Sequence, residues 1–181
     1  MKYQIIYVDP PWDYKGQRQH AGEGKNDTGG AASHYDTMKL GELMALDLSV
    51  IADPKECLLF MWSSSPHLPQ ALDVMMAWGF SWATVAFVWD KQKVNPGFYT
   101  MSQVELCLVG KKGKIPQPRG ARNVRQFISE MRGGHSSKPV TVRERIEQMF
   151  PDQRKIELFA RDTTPGWDSW GEGVGKKEWV F

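Results

Sequence analysis

Lys2-Tyr3-Gln4-Ile5-Ile6-Tyr7-Val8-Asp9-Pro10-Pro11-Trp12 is the stretch on which the reading of the whole chain turns. β-branched and aromatic residues dominate as far as Val8 and favour an extended, buried strand. Asp9-Pro10-Pro11 then stops it, because proline removes a backbone donor, fixes φ and disfavours helix in the residue before it. Working outward, Cys57-Leu58-Leu59-Phe60-Met61-Trp62 is a continuous apolar run too short for a buried helix, hence a second buried strand. Ser63-Ser64-Ser65-Pro66 supplies caps and a first-turn proline for a helix over 68–78. Residues 82–89, 104–109 and 155–160 read as three further strands, and 38–51 and 139–150 as helices with one apolar side. Strands alternating with helices predict an α/β layered fold, a mostly parallel sheet with helices on both faces. In such folds a ligand sits outside the carboxyl ends of the strands, near the point where strand order reverses. Three segments then converge on the site: 9–12, 63–65 and 161–171.

Length and composition narrow the class. The 181 residues suit one domain, 1–181, and 41% hydrophobic with 24% charged residues is an ordinary globular balance. Two cysteines, Cys57 and Cys107, are too few for a disulfide framework or a metal cluster, so no metal is expected. No apolar run approaches the ~18 residues of a membrane span, so no membrane partner is expected. No phosphate-cradling glycine loop of the GxxxxGK type occurs, which argues against a nucleotide triphosphatase or kinase. The four histidines show neither metal-ligand spacing nor a nucleophile partner.

The acid, two prolines and aromatic at a strand's carboxyl end have a chemical rationale. An exocyclic amine on a nucleobase is a poor nucleophile, because its lone pair is delocalised into the ring. Two acceptors gripping its N–H groups draw the nitrogen towards tetrahedral geometry. Asp9 offers a carboxylate and Pro10 a fixed backbone carbonyl, while Trp12 offers a π-face for an extruded base, worth on the order of 1–3 kcal/mol. Attack on a sulfonium methyl then needs positioning above all.

Here the chain resembles the MT-A70 family of adenine-N6 methyltransferases, over nearly its whole length. The resemblance rests on Asp9-Pro10-Pro11-Trp12, Leu59-Phe60-Met61-Trp62, and Glu105-Leu106-Cys107-Leu108-Val109-Gly110-Lys111-Lys112-Gly113. It continues through His135-Ser136-Ser137-Lys138-Pro139, Lys155-Ile156-Glu157-Leu158-Phe159-Ala160-Arg161 and Gly166-Trp167-Asp168-Ser169-Trp170-Gly171. It implies a Rossmann-like methyltransferase fold, S-adenosyl-L-methionine as cofactor and Asp9, Pro10, Pro11 and Trp12 as the catalytic motif, with Asp9 also at the cofactor. It further implies that Lys138 holds the cofactor's methionine carboxylate, that Glu157, Phe159 and Arg161 line its adenosine, and that Gly171 and Glu172 lie near the ribose. Glu172 departs from the family, which usually carries an amide there; a carboxylate can accept from both ribose hydroxyls.

Two segments bear on substrate. Residues 13–33 are glycine-rich and polar, and are expected to form a mobile loop that closes over the target base. Residues 111–134 hold seven Lys and Arg against Glu130 alone, a net +6 that leaves −4 on the rest of a chain totalling +2. That concentration is the footprint expected of phosphate contacts, with Lys111, Lys112, Arg119, Arg122 and Arg125 as the candidates. The expected partner is nucleic acid, DNA before RNA, in the cytoplasm of a bacterium or a phage-infected host. The alternatives are the same chemistry on RNA adenosine or on N4 of cytosine, or a catalytically silent nucleic-acid-binding subunit. The sequence leaves a homo- or hetero-oligomer open.

Overall fold

Ile5, Ile6, Tyr7 and Val8 are all buried because β1 (Ile5–Val8) lies in the middle of a sheet with structure on both faces. A computed structural model describes residues 1–13, 37–97, 99–131, 133 and 137–175. The 14–33 part of the expected closing loop, and His135 and Ser136, lie outside the described residues. Seven strands form one sheet: β1, β2 (Glu56–Ser64), β3 (Ser81–Asn95), β4 (Ser102–Gly113), β5 (Phe127–Ser129), β6 (Lys155–Leu158) and β7 (Asp168–Trp170). Their order is β5-β3-β4-β2-β1-β6-β7, and β4 alone runs against the other six.

Alternation along β1 sorts the core into two faces. Ile6 and Val8 pack with α1 (Leu40–Met44) and α2 (Leu68–Ala77) through Leu43, Ala71, Val74 and Met75. Ile5 and Tyr7 pack with α3 (Val140–Met149) through Val142 and Ile146. Each of the Val, Leu, Ile and Met side chains among them, fully buried, contributes about 1.5–3 kcal/mol of transfer free energy. The Trp78 indole donates to the Leu43 carbonyl at 2.7 Å and ties α2 to α1. On the other face the Trp62 indole donates to the Tyr7 hydroxyl at 2.6 Å, inside the core. Trp167 is spent on structure too: it sets its ring edge against Tyr7 and donates to Glu147 at 2.6 Å.

Several expectations are corrected. The helix expected over 38–51 shortens to α1 and a single 3-10 turn, Leu48–Val50. The Asp47 carboxylate accepts from Ser49 N–H at 2.9 Å, a local turn that competes with helical continuation. The strands expected over 82–89 and 104–109 lengthen into β3 and β4, since pairing with each other satisfies polar positions that alternation alone does not mark. β5 and β7 have three residues each, too few for any periodicity to show.

The chain runs from β1 to β2 on one side and returns to β6 on the other, so strand order reverses at β1. The crevice outside β1 is therefore the predicted ligand position. No helix of the described residues is long and apolar enough to cross a membrane.

Candidate active site

Asp9 follows Val8, so continued alternation carries its side chain to the α3 face, at the rim where β1 ends. The motif then folds into a tight turn: Trp12 N–H donates to the Pro10 carbonyl at 2.8 Å, and Met38 N–H to the Pro11 carbonyl at 2.9 Å. Those bonds return Trp12 to the other face, where it is 5% exposed and joins the α1/α2 core. Its ring stacks on His67 with centroids 5.6 Å apart and planes 16° from parallel. The bare π-face expected from the sequence is thus not presented; Trp12 is a wall of the crevice with His67 against one side. The Nδ1 of His67 pairs with the Ser64 hydroxyl at 2.8 Å, and burial pushes the imidazole below its usual value, with the Asp13 backbone opposing. Ser64 and His67 enter the site from the end of β2, one of the three segments expected there. The histidine's place was missed because only the stacked geometry signals it.

Four charges alternate along the α3 side of the rim. The Lys138 ammonium lies 2.7 Å from Asp9 Oδ2 and 3.2 Å from Glu105 Oε2, and Glu105 Oε1 lies 3.3 Å from the Lys91 ammonium. These side chains are 11–27% exposed, so their attraction is only partly screened. Burial alone lowers the Lys138 pKa, but Asp9 and Glu105 outweigh it and hold the ammonium well above the ordinary lysine range. Burial likewise raises Glu105, and Lys138 and Lys91 more than reverse it. The fold explains each member. Lys138 precedes Pro139, which starts α3, and stands 5.5 Å over the Trp62 ring. Glu105 lies two residues before Cys107, on the same face of β4, opposite Ser64 at the end of β2. β3 carries extra residues between Asp90 and Asn95, with Gln92 at φ 54°, and this bulge accompanies the inward turn of Lys91. The sequence reading placed Asp9 and Lys138 in the site but not Glu105 or Lys91. A strand glutamate and a strand lysine look alike whether exposed or paired.

The remaining expected cofactor residues gather on the β6–β7 side. Glu157 sits below the rim and accepts from Arg143 Nη1 of α3 at 2.9 and 3.2 Å, so its carboxylate braces β6 against α3. Burial raises its pKa and Arg143 opposes. Phe159, at φ 56°, presents its ring to Trp170, edge to face at 5.4 Å. Arg161 is exposed just beyond, and Glu172 is exposed at the start of the turn Glu172–Val174. Gly171 is buried against Ala160: a Cβ there would lie 2.3 Å from the Ala160 carbonyl oxygen. The aromatic pair packs against the α1/α2 core, whereas the Lys138 ammonium lies on the α3 side with Asp9.

The basic segment divides. Lys111 and Lys112 pair with Leu58 and Cys57 at the opposite end of the sheet from Asp9, because β4 runs antiparallel. Lys112 stands seven residues from Glu105 on β4, about 24 Å at ~3.4 Å per residue. Arg119 lies over the Phe150 ring at 5.4 Å, beside the end of α3, where Gly120 N–H donates to the Met149 carbonyl. These three do not join the rim. From there the chain climbs past exposed Arg122 and Arg125 to β5, whose Ile128 pairs with Trp89.

The profile of the MT-A70 family matches residues 3–173. Type II methyltransferase M.MunI from Mycoplasma sp is 52% identical over 181 residues, covering 94% of this chain and 77% of that protein. The N(6)-adenosine-methyltransferase MT-A70-like protein of Drosophila melanogaster is 27% identical over 180 residues, and the human catalytic subunit METTL3 is 26% identical over 180. This chain spans 26% and 28% of those two proteins. A match over nearly the whole chain, with the family's acid-proline-proline-tryptophan motif at the strand-order reversal, makes this chain a member of the MT-A70 family.

Proposed function

We propose that this methyltransferase moves a methyl group from S-adenosyl-L-methionine to the exocyclic N6 amine of adenine in DNA. The observation that carries the reading is the Asp9 carboxylate at the carboxyl end of β1, 2.7 Å from the Lys138 ammonium. The cofactor, when bound, would supply a sulfonium methyl and leave as a neutral thioether, and the methylated amine would shed its surplus proton to water. Lys138 would pair with its methionine carboxylate, Phe159 would pack along its nucleoside, and Glu172 and Arg161 would serve the ribose side.

On the substrate side, Asp9 accepts one N–H of the adenine amine. The Pro10 carbonyl already takes Trp12 N–H, and its second lone pair accepts the other. Two acceptors fixed by a rigid turn hold the nitrogen in an attack geometry, and that orientation is most of the rate. Trp12 and the neutral His67 close the apolar side, where loss of water strengthens the hydrogen bonds. DNA is favoured because the bacterial relative at 52% identity is a type II methyltransferase.

The test is to incubate the protein with labelled S-adenosylmethionine and separate DNA and RNA pools, then digest and chromatograph the nucleosides. Label in N6-methyldeoxyadenosine is expected. Label only in RNA would move the substrate to adenosine, label in cytosine would move the acceptor to N4, and no label would favour a silent binding subunit.

A further inference from the structure

We propose that Glu105 is a positioning residue of the methyl-transfer site, sharing the Lys138 ammonium with Asp9 so that the lysine does not consume the carboxylate needed by the substrate amine. The inference rests on the functional reading above. A lysine ammonium is a compact point charge on a flexible stem, with three N–H donors that rotate freely. Here two carboxylates fix it, Asp9 at 2.7 Å and Glu105 at 3.2 Å, from two different strands' ends. One donor of three is left for a ligand carboxylate. Lys91, 3.3 Å from the other Glu105 oxygen, balances the cluster at two positive and two negative charges.

The arrangement matters when substrate arrives. The amine must take acceptor capacity on Asp9 that Lys138 now occupies, and a charged donor of this depth is costly to strip of its partner. Glu105 supplies the alternative partner in place, so Lys138 shifts weight from one carboxylate to the other without leaving the cluster. Without the Glu105 charge, the ammonium settles wholly on Asp9. Asp9 is then a poorer acceptor, while the lysine's attraction for a cofactor carboxylate is undiminished.

Glu105→Gln keeps the shape and removes the charge. A misplaced catalytic group costs up to about 10²-fold, so we expect kcat to fall by about 10- to 10²-fold. Cofactor affinity, read by calorimetry without turnover, should stay within about threefold or tighten, since a nearby negative charge has gone. Glu105→Asp, which retains the charge, should recover part of the loss. The double variant Glu105→Gln/Lys91→Gln separates two roles. If Glu105 merely neutralises Lys91, restoring charge balance restores kcat; on our reading kcat stays low. Unchanged kcat in Glu105→Gln, parallel loss of kcat and cofactor affinity, or rescue by Lys91→Gln would each overturn the proposal. Wild-type protein in the same assay isolates the underlying reading: if it methylates no DNA adenine, that reading fails first.

Discussion

Replacing Asp9 by Ala removes one carboxylate yet leaves the Lys138 ammonium paired, because Glu105 remains 3.2 Å away. The fold should therefore persist while turnover falls at least ~10²-fold, as for loss of a positioned acid–base group. Circular dichroism with single-turnover kinetics checks both halves, and near-normal turnover would remove Asp9 from the chemistry. Lys138→Ala is the harsher change, since Asp9 loses its ammonium partner and Glu105 keeps only Lys91. It should weaken S-adenosylmethionine binding by roughly 1.5–3 kcal/mol, the range for hydrogen bonds to charged groups. An analogue lacking the methionine carboxylate should bind almost equally to both proteins. Equal losses for the two ligands would place the lysine's role elsewhere.

The strands position these residues through a few contacts whose loss can be measured. Tyr7 and Trp62 come from adjacent strands, β1 and β2, and their 2.6 Å hydrogen bond sits in the α3-side core. Tyr7→Phe strands the buried indole N–H, which costs about 1–3 kcal/mol. A lower urea midpoint with an unchanged m-value is the expected result. At the other edge, β7 meets β6 through the Ala160 N–H bond to the Trp170 carbonyl at 2.9 Å, with Gly171 pressed against Ala160. Gly171→Ala puts a methyl 2.3 Å from a backbone oxygen that cannot rotate aside. The backbones must separate, at about 1–3 kcal/mol as for other overpacked sites. Because Phe159 and Glu172 flank that contact, cofactor affinity should fall together with thermal stability. A stable variant with unaltered affinity would show that β7 plays no part in the site.

At the scale of the whole molecule, if nucleic acid binds at Asp9 as proposed, the antiparallel course of β4 decides which basic residues can meet it. Lys111 and Lys112 face the far end of the sheet, whereas Arg122 and Arg125 lie on the climb towards β5. Each phosphate contact contributes roughly −0.9 to the slope of log affinity against log salt on duplex DNA, and −0.7 on single strands. Arg122→Gln/Arg125→Gln should flatten that slope by about 1.4 to 1.8 units and weaken binding alike across sequences. Lys111→Gln/Lys112→Gln should leave it unchanged. Binding isotherms across a salt series, with the cofactor product present, distinguish the pairs, and equal effects from both would mean DNA reaches around the sheet.

The sequence by itself determined the strand at 5–8, its abrupt stop at Asp9, the buried run at 57–62 and the α/β class. Each depends on local chemistry: β-branched residues, proline geometry and apolar runs of fixed length. It also named Asp9 and Lys138, through motifs carried intact. Only the tertiary structure decided that Glu105 and Lys91 complete their charge cluster, because an antiparallel strand and a bulge bring together residues far apart in the chain. The same pairing moved Lys111 and Lys112 away from the rim, although their charge count alone recommended them. Trp12 was recognised as part of the motif, but its burial against His67 follows from the turn that carries it across the sheet edge. Periodicity records which side of a strand a residue occupies; the direction of the strand, and what faces it, are settled by pairing at a distance.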